Sequence, residues 1–409
     1  MQVKKDLVSN GTIPITIKTL HGRFEFHVQR FIDRANPTSL DRTYFDWTDQ
    51  FQEGYVSDRL KEFSAYYSNR LSYNEVAELI ERVAGNRQLS DQKIWQIVVE
   101  KAAAVRRTQQ EEIEELVSHG ASFVLDIQEK VAIYDPQSPE ILLFEDAIQV
   151  RGQKDNREHK QGVKPKLLLE DAPQKKTPAI RTDLVIWQKR DREFEYLTAL
   201  IDSQGHEIIS LPDLLKSRLV RDYGQESKLL PVVAITDGAS IIRQHFDMVF
   251  GGPPTIILDW YHLGKKVRDF MSMIALSKDD KQKHLKFIFH HLWYGHLYTV
   301  LNYLKTAVHP KNEEKLFELI GYLEKHQTEI IDYHRRKKAG KTIGSGLMEK
   351  GCDQVIGRRQ KNKGMSWRAV GSKSLAILKV VELNNQWEKL WFPQEAANDS
   401  INLQLASNS

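Results

Sequence analysis

The stretch Leu229-Leu-Pro-Val-Val-Ala-Ile-Thr-Asp237-Gly238-Ala239 decides the fold class. A short apolar run rich in β-branched residues ends at Asp237-Gly238, and Ser240 then opens a segment whose apolar residues have helical spacing. This predicts a buried strand, an acid at its carboxyl end, a turn that glycine permits, and a helix. Open α/β sheets bind ligands outside the carboxyl ends of their strands, so Asp237 is a candidate ligand for a hard metal ion. The alternative is that Asp237 only caps the following helix.

Length and composition limit the classes to which the protein can belong. The 409 residues are enough for two or three domains, and 41% hydrophobic with 28% charged residues is typical of an ordinary soluble core. The single cysteine, Cys352, excludes an intramolecular disulfide and a zinc site built from several cysteines. No segment resembles a signal peptide or a span of roughly 20 apolar residues. We therefore expect a cytoplasmic protein without a membrane partner.

Residues 1–36 predict a small β-hairpin. Apolar and polar residues alternate over 13–33 on both sides of His21-Gly22. Pro14 has no N–H, so the first strand is expected at an edge of its sheet. Zinc ribbons often contain such a hairpin, but their cysteine pairs are missing here, so the hairpin carries no prediction of a metal.

Residues 37–118 predict a helical domain. Ser72 and Glu75 form a capping box that opens one helix, and a second helix begins after Ser90. The turn between them contains glycine, a pattern typical of DNA-binding helix-turn-helix units. The alternative is an ordinary helical hairpin. If the unit binds DNA, the side chains expected to contact bases or phosphates are Gln92, Lys93 and Gln96.

Residues 119–264 predict an α/β core with the element order β, β, β, α, β, α, β. The first strand, 140–150, is mostly apolar but is interrupted by Glu145-Asp146. An acid inside a buried strand is costly unless it is paired or binds a metal, so Asp146 is a second candidate ligand. The next two strands are expected at 184–187 and 194–201. An α-rich block follows: residues 277–338 contain no strand candidate, and a final helix is expected over 374–392.

Further candidates lie at the ends of later elements. Asp259 and His262 are one turn apart where the strand 254–258 ends. They could orient one another, steer a scissile phosphate or form a structural pair, and we expect His262 to support an active site. Glu349 opens a late helix just after Gly344-Ser-Gly346.

Asp146, Asp237 and Glu349 are the three carboxylates with a chemical interpretation. Hard divalent cations prefer oxygen ligands, and Mg²⁺ combines one or two carboxylates with waters and phosphate oxygens. Two ions roughly 3.5–4 Å apart activate a water or a hydroxyl and stabilise the leaving oxygen in phosphoryl transfer. We therefore expect the three acids to bind two Mg²⁺ or Mn²⁺ ions.

The segment 334–368 is strongly basic. It contains eleven Lys or Arg residues against two acids, and such an excess favours a polyanionic partner. The side chains expected on the DNA backbone are Arg358, Arg359, Lys361 and Lys363, with Trp367 as a stacking surface. The alternative is a basic face that is only solvated.

Taken together, these motifs resemble bacterial insertion-sequence transposases of the DDE type, whose catalytic domain has an RNase H-like fold. The similar stretches are Ile-Thr-Asp237-Gly-Ala, Asp259-Trp-Tyr-His262 and Ile343-Gly-Ser-Gly-Leu-Met-Glu349-Lys. Gly357-Arg-Arg-Gln-Lys-Asn-Lys-Gly-Met-Ser-Trp367 and Asn384-Asn-Gln-Trp387 are also similar to the family. The resemblance covers most of residues 53–392.

The resemblance implies an α/β protein with an RNase H-like mixed sheet and flanking helices, an all-α insertion at 265–340, and a second part of the catalytic core at 341–393. A disordered tail is expected at 394–409, and 1–36 look like a zinc-ribbon remnant without cysteines. The implied activity is metal-dependent cleavage and strand transfer of insertion-sequence DNA ends by Asp146, Asp237 and Glu349. The implied partners are double-stranded DNA, as transposon ends and as target, and further copies of the chain on that DNA.

One position departs from the family pattern. The first aspartate is often followed by glycine, whereas Ala147 follows Asp146. Asp183 is therefore a rival for the first position, although Asp146 is preferred because it lies inside the first strand. Two other functions stay open. One is a non-catalytic, domesticated DNA-binding protein derived from a transposase, and the other is an RNase H-like nuclease that acts on RNA–DNA hybrids.

Overall fold

The computed structural model describes residues 7–33, 42–43, 55–118, 125–153, 178–224, 229–362 and 364–393. The chain divides into two compact units, one of residues 1–105 with 385–409 and one of residues 106–384. No helix in the described ranges has the length and apolarity needed to cross a bilayer. The domain limits expected at residues 36, 118, 264, 340 and 393 remain predictions, and the tail 394–409 lies outside the described residues.

The strands are β1 Leu7–Thr19, β2 Gly22–Asp33, β3 Arg42–Thr43, β4 Ile141–Arg151, β5 Ala179–Gln188, β6 Phe194–Thr198, β7 Leu200–Ile201, β8 Glu207–Ile209, β9 Val232–Thr236 and β10 Thr255–Leu258. The helices are α1 Asp58–Ser68, α2 Tyr73–Ala84, α3 Asp91–Ser118, α4 Leu211–Tyr223, α5 Ser240–Phe250, α6 Trp260–Ile274, α7 Lys278–Trp293, α8 Leu297–Thr306, α9 Glu313–Lys325, α10 Tyr333–Lys338, α11 Gly346–Cys352, α12 Arg358–Gln360, α13 Ala369–Leu383 and α14 Trp387–Trp391. A π-helical turn, Asp353–Gly357, links α11 to α12.

The first unit contains the predicted hairpin and helices. β1 and β2 pair antiparallel up to Thr19 and Gly22, which confirms the hairpin. The capping box at the start of α2 is also confirmed, because Ser72 Oγ accepts the Glu75 N–H and the Glu75 carboxylate accepts the Ser72 N–H at 2.7 Å. Gly85 then ends α2 in the left-handed conformation that glycine adopts without strain. In this unit Trp387 Nε1 donates to Glu62 at 2.7 Å.

The second unit is built on a five-stranded mixed sheet of order β10-β9-β4-β5-β6. β9 runs parallel to both β4 and β10, whereas β5 is antiparallel to β4 and to β6. The strands of this sheet and the helices α4 and α5 follow one another in the predicted order, but the small pair β7 and β8, before α4, was not predicted. The expected strand 194–201 is in fact two strands, because β6 pairs with β5 while β7 pairs with β8.

Helices cover both faces of this sheet. On one face α11 lies so close that a Cβ on Gly351 would stand 2.7 Å from Ile186 Cδ1 of β5. On the other face the ring of Trp187 packs on Tyr223 of α4, with centroids 6.2 Å apart. Ile186 and Trp187 are consecutive, and consecutive side chains of a strand point to opposite faces. The sheet is thus buried between two helical layers.

The two outer strands of the sheet, β6 and β10, make hydrogen bonds with residues that lie outside the sheet. At β6 the Asn384 side chain accepts the Tyr196 N–H and donates to the Tyr196 carbonyl, each at 2.8 Å. At β10 the Leu258 N–H donates to the Glu329 carbonyl at 3.0 Å. These backbone groups would otherwise be unpaired at the sheet edges.

The described residues after β10 form helices and no strand, as expected. Residues 277–338, all of them described, contain α7 to α10 and no strand. The helix expected over 374–392 is instead two helices, α13 and α14. Asn385 between them has φ +56°, a left-handed conformation that interrupts a right-handed helix and that asparagine tolerates better than most residues.

Replacing Phe144 by alanine should strongly destabilise the protein. This side chain of the central strand is only 1% exposed, so truncation removes buried apolar area and leaves a cavity. We expect the free energy of unfolding in urea to fall by about 3–5 kcal/mol. The control Met248→Ala, at a side chain that is 67% exposed, should change it by less than about 0.5 kcal/mol. Equal losses in the two variants would contradict the packing described above.

Candidate active site

The register of two parallel strands brings Asp146 and Asp237 to the same level of the sheet. The last register pair of β4 and β9 is Phe144 with Ile235, and each aspartate follows two residues later on its own chain segment. Neighbouring strands lie about 4.8 Å apart. Both aspartates are half-buried. The two acids that the sequence singled out on separate strands therefore lie side by side.

Backbone amides hold one oxygen of each aspartate. Asp237 Oδ1 accepts the Ala239 N–H at 2.8 Å, and Asp146 Oδ1 accepts the Ala147 N–H at 2.6 Å. The N-cap of α5 is Ala239, which makes no side-chain cap, so Asp237 is not the capping residue of that helix. Within the described ranges, the second oxygen of Asp237 has no hydrogen-bond partner. The second oxygen of Asp146 meets only the Cys352 thiol, with 3.9 Å between sulfur and oxygen.

The charge of Asp237 acts on the carboxyl group of Asp146. Burial raises the pKa of Asp146, and the negative charge of Asp237 acts in the same direction. The Ala147 N–H and the nearby His262 oppose this rise. A cation beside the pair would relieve the repulsion between them.

Asp259 joins three parts of this site. It is fully buried, and its own N–H donates to the Thr236 carbonyl of β9 at 2.8 Å. Its Oδ1 caps α6 by accepting the His262 N–H at 2.8 Å, and its Oδ2 accepts the N–H of Ser345, the N-cap of α11. Burial alone would raise the pKa of Asp259, but the hydrogen bonds with His262 and Ser345 lower it. One ionised carboxylate thus ties the starts of two helices to the end of a strand.

His262 lies near enough to Asp146 and Asp237 for their charges to act on it. Its Nδ1 lies 3.6 Å from Asp259 Oδ1, an ion-pair distance that is too long for a hydrogen bond. The Asp259 side chain raises the pKa of His262, and the charges of Asp146 and Asp237 add to the rise. When it is protonated, the partly exposed imidazole can contact a phosphate oxygen bound beside the two carboxylates. Its role in catalysis stays a prediction.

Glu349 lies on α11, the helix whose start Asp259 holds. Its side chain is exposed. Cys352, three residues later, lies close to Asp146; burial and the charges of Asp146 and Glu349 raise the pKa of its thiol to about 12. Even so, no group of three or more His, Cys, Asp and Glu side chains within the described ranges is arranged to hold a metal ion. The structure therefore brings Asp146, Asp237 and His262 together, and it leaves Glu349 at the margin of this group.

The rival Asp183 belongs to the other face of the sheet. In the β4–β5 register Asp146 is opposite Leu184, whereas Asp183 is opposite Ala147. The Asp183 carboxylate is bound by Arg181, with Oδ1 at 2.6 Å from Nη2 and 2.9 Å from Nε. This placement favours Asp146 as the neighbour of Asp237.

The residues expected to contact DNA differ in exposure. Arg358 and Lys361 are exposed, although Arg358 is ion-paired with Asp353 at 2.7 Å. Arg359 and Trp367 are both buried, with the guanidinium 4.8 Å from the ring centroid. A buried Trp367 offers no free ring to a base, so the burial favours Arg358 and Lys361. Lys363 lies outside the described residues.

The three candidate DNA contacts on α3 belong to the first unit. Gln92 is exposed, whereas Lys93 and Gln96 are half-buried. Their contact with DNA stays a prediction.

Sequence reasoning missed a polar cluster at the turn after Asp237. Arg243 of α5 donates to the Gly238 carbonyl and to Glu329 Oε1, each at 3.0 Å. His326 Nδ1 lies 2.7 Å from Glu329 Oε2, and its ring leaves no room for a Cβ on Gly238, which has φ +86°. His326 and Glu329 are far from Gly238 in sequence and follow no motif, so no local signal could have found them.

Comparisons with known proteins add little. No protein-family model matches the chain, and no curated protein matches it. A solved structure described as the Drosophila P element transposase strand transfer complex is similar over 85% of this chain and 83% of that chain, with 11% identity and a TM-score of 0.27. A similarity of that size carries no functional argument.

Replacing Asp259 by asparagine should loosen both helix starts. The amide oxygen can accept one of the two N–H groups, but its NH₂ then faces the other, and the negative charge is lost. We expect the free energy of unfolding to fall by about 2–3 kcal/mol in urea titrations. Asp332→Asn at the N-cap of α10 is the matched control, because Asn and Asp are equally good N-caps, and it should cost less than about 0.5 kcal/mol. A neutral Asp259→Asn variant would contradict the bridging role.

Glu329 should contribute stability that depends on pH. Burial alone would raise its pKa, but hydrogen bonds from His326 and Arg243 lower it below the usual value. The contribution is therefore fully present above the unfolded pKa of about 4.3 and is lost as pH falls through the lower folded value. The deficit in unfolding free energy of Glu329→Gln should be largest near neutral pH and should shrink in acid. Exposed Glu314→Gln should show no such trend, and a deficit for Glu329→Gln that does not vary with pH would refute this account.

Proposed function

We propose that the chain is a DDE-type DNA transposase of the insertion-sequence kind, with an RNase H-like catalytic core that cleaves and joins DNA ends. The observation that carries the proposal is the pairing of Asp146 with Asp237 at one level of two parallel strands, faced by His262. The sheet order, with β4 at the centre, the antiparallel β5 and then β6 on one side and the parallel β9 and β10 on the other, agrees with the fold that the sequence resemblance implies.

The donor chemistry of the site suits a divalent cation. Two adjacent carboxylates with uncommitted oxygens, one of them with its pKa raised partly by the other, are typical ligands of Mg²⁺ or Mn²⁺. When bound, two such ions supply an activated hydroxyl nucleophile and charge stabilisation at the leaving oxygen. Asp146 and Asp237 would hold them. Glu349 is a third ligand only if α11 brings its exposed side chain towards the pair.

The other residues have roles that need no metal. His262, with its raised pKa, carries positive charge in a larger fraction of molecules near neutral pH and can hold a phosphate oxygen beside the acids. Asp259 positions His262 and the start of α11. Arg358 and Lys361, both exposed beyond the π-helical turn, would bind the DNA backbone.

A second candidate is a non-catalytic DNA-binding protein derived from a transposase. The observation that favours it is the missing three-ligand group within the described ranges, together with the exposed position of Glu349. This DNA-binding function requires the basic residues but does not require Asp146, Asp237 or Glu349.

The test is a strand-transfer assay with the purified full chain, Mg²⁺ or Mn²⁺, and DNA that carries the inverted repeats flanking the gene. We expect Asp146→Asn and Asp237→Asn each to lower cleavage and joining by at least about 100-fold, because each removes a charged ligand. His262→Ala should lower the rate by about 10- to 100-fold. The exposed residue Asp247, changed to asparagine, is the control and should leave the rate unchanged.

Other outcomes separate the alternatives. Specific binding without cleavage or joining by the wild type would assign the chain to the non-catalytic class. Cleavage of RNA–DNA hybrids without joining would assign it to the nuclease class. A large loss with Asp183→Asn and none with Asp146→Asn would transfer the first acidic role to Asp183.

A further inference from the structure

Aromatic rings and basic side chains meet on the surface where α7 ends and α10 begins. The ring of Tyr294 lies 4.9 Å from that of His334, 5.3 Å from that of His290 and 6.2 Å from that of His296, the last at only 27° between planes. The three histidines are exposed and Tyr294 is half-exposed. We call this surface the aromatic–basic patch; its members are His290, Tyr294, His296, His334, Arg335, Lys337 and Lys338.

The fold holds the patch in place. Gly295, directly after Tyr294, has φ +72°, and a Cβ there would stand 3.0 Å from Asp332 N and 3.2 Å from Asp332 Cα. Only glycine therefore allows the end of α7 to lie against the residue that caps α10. This close approach is what sets Tyr294 beside His334.

The basic members of the patch are available to an anion. Arg335, Lys337 and Lys338 are exposed on α10, and none of them has an acidic ion-pair partner in the parts of the chain that the structure describes. Two of them lie over aromatic rings, with Arg335 4.8 Å from the centroid of Tyr134 and Lys337 5.8 Å from that of Trp293. Unpaired cations over rings form a surface for a flexible polyanion with flat groups.

A layer of packed rings links the patch to the candidate active site. Trp293 lies 6.5 Å from His334 and 4.9 Å from Trp260, the residue that follows Asp259. Trp260 also lies 4.9 Å from Tyr333, whose hydroxyl donates to the Leu258 carbonyl at 2.8 Å. The patch is thus anchored to the carboxyl end of β10.

We propose that the aromatic–basic patch binds a single-stranded nucleic acid, with Tyr294 and the histidine rings stacking on unpaired bases and Lys337, Lys338 and Arg335 holding phosphates. Exposed rings favour single strands because every base has a face to stack on, whereas the bases of a duplex are already stacked on one another. Cations at the surface supply the part of the affinity that depends on salt. This site goes beyond the proposed catalysis and needs neither the three acids nor a metal.

The test uses fluorescence anisotropy of the full chain in EDTA with labelled oligothymidylate, oligouridylate and a blunt duplex. We expect tighter binding of a single strand than of the duplex, and the two single strands distinguish DNA from RNA. Tyr294→Ala should weaken binding about tenfold, within the range for losing one stacked base, whereas Tyr294→Phe, which keeps the ring, should stay within about twofold. Thermal unfolding checks that each variant is folded.

The charges are tested by salt dependence. Changing Lys337 and Lys338 together to glutamine should lower the slope of log affinity against log salt by about 1.4, because each lysine that neutralises a phosphate of a single strand adds about 0.7 to that slope. Lys278 and Lys283, exposed in the first half of α7 and away from the patch at its end, are changed together to glutamine as the control and should leave the slope unchanged. Unchanged binding by Tyr294→Ala, equal effects of the two lysine pairs, or stronger binding of the duplex would each overturn the proposal. Because no turnover is measured, these results are independent of the strand-transfer assay.

Discussion

The rest of the second unit depends on the hydrogen bonds that the buried carboxylate of Asp259 accepts from two helix starts. An ionised group without solvent is costly, and here backbone N–H groups at the starts of α6 and α11 offset that cost. Helix starts carry partial positive charge, so two of them on one carboxylate form a favourable electrostatic arrangement. The Asp259 N–H is bound to Thr236 as well, so the junction also fixes the end of β9.

This junction explains how residues far apart in sequence reach one place. Strand pairing sets Asp146 beside Asp237, Asp259 turns His262 towards them, and the same carboxylate fixes the start of the helix that carries Glu349. Asp259 binds α11 only at Ser345, the N-cap of that helix. Glu349 lies about one turn further along α11, and its side chain is exposed. The arrangement is therefore rigid for the aspartates and the histidine and less constrained for the glutamate.

Local patterns predicted the strand, turn and helix around Asp237 and the strand that contains Asp146. The apolar run before Asp237 and the interrupted strand at Asp146 have strong β signals. The pairing of β9 with β10 follows from the usual parallel β-α-β connection, whereas the pairing of β4 with β9 spans four strands and a helix and has no local signal. The burial of Trp367 could not be predicted, because a basic, Gly-containing segment gives no sign that Arg359 packs over its ring. The cluster of Arg243, His326 and Glu329 was equally hidden, since it depends on tertiary contacts alone. The break of the last helix at Asn385 reflects a conformation that asparagine permits but does not demand.

The bonds at the two outer strands of the sheet have a consequence for solution behaviour. A free strand border is a template on which another chain can add a strand, and such addition starts aggregation. Asn384 occupies the donor and the acceptor of Tyr196, and the Glu329 carbonyl occupies the donor of Leu258. At these positions an incoming strand would first have to displace an intramolecular partner. Addition of a strand at these positions of the five-stranded sheet is therefore disfavoured.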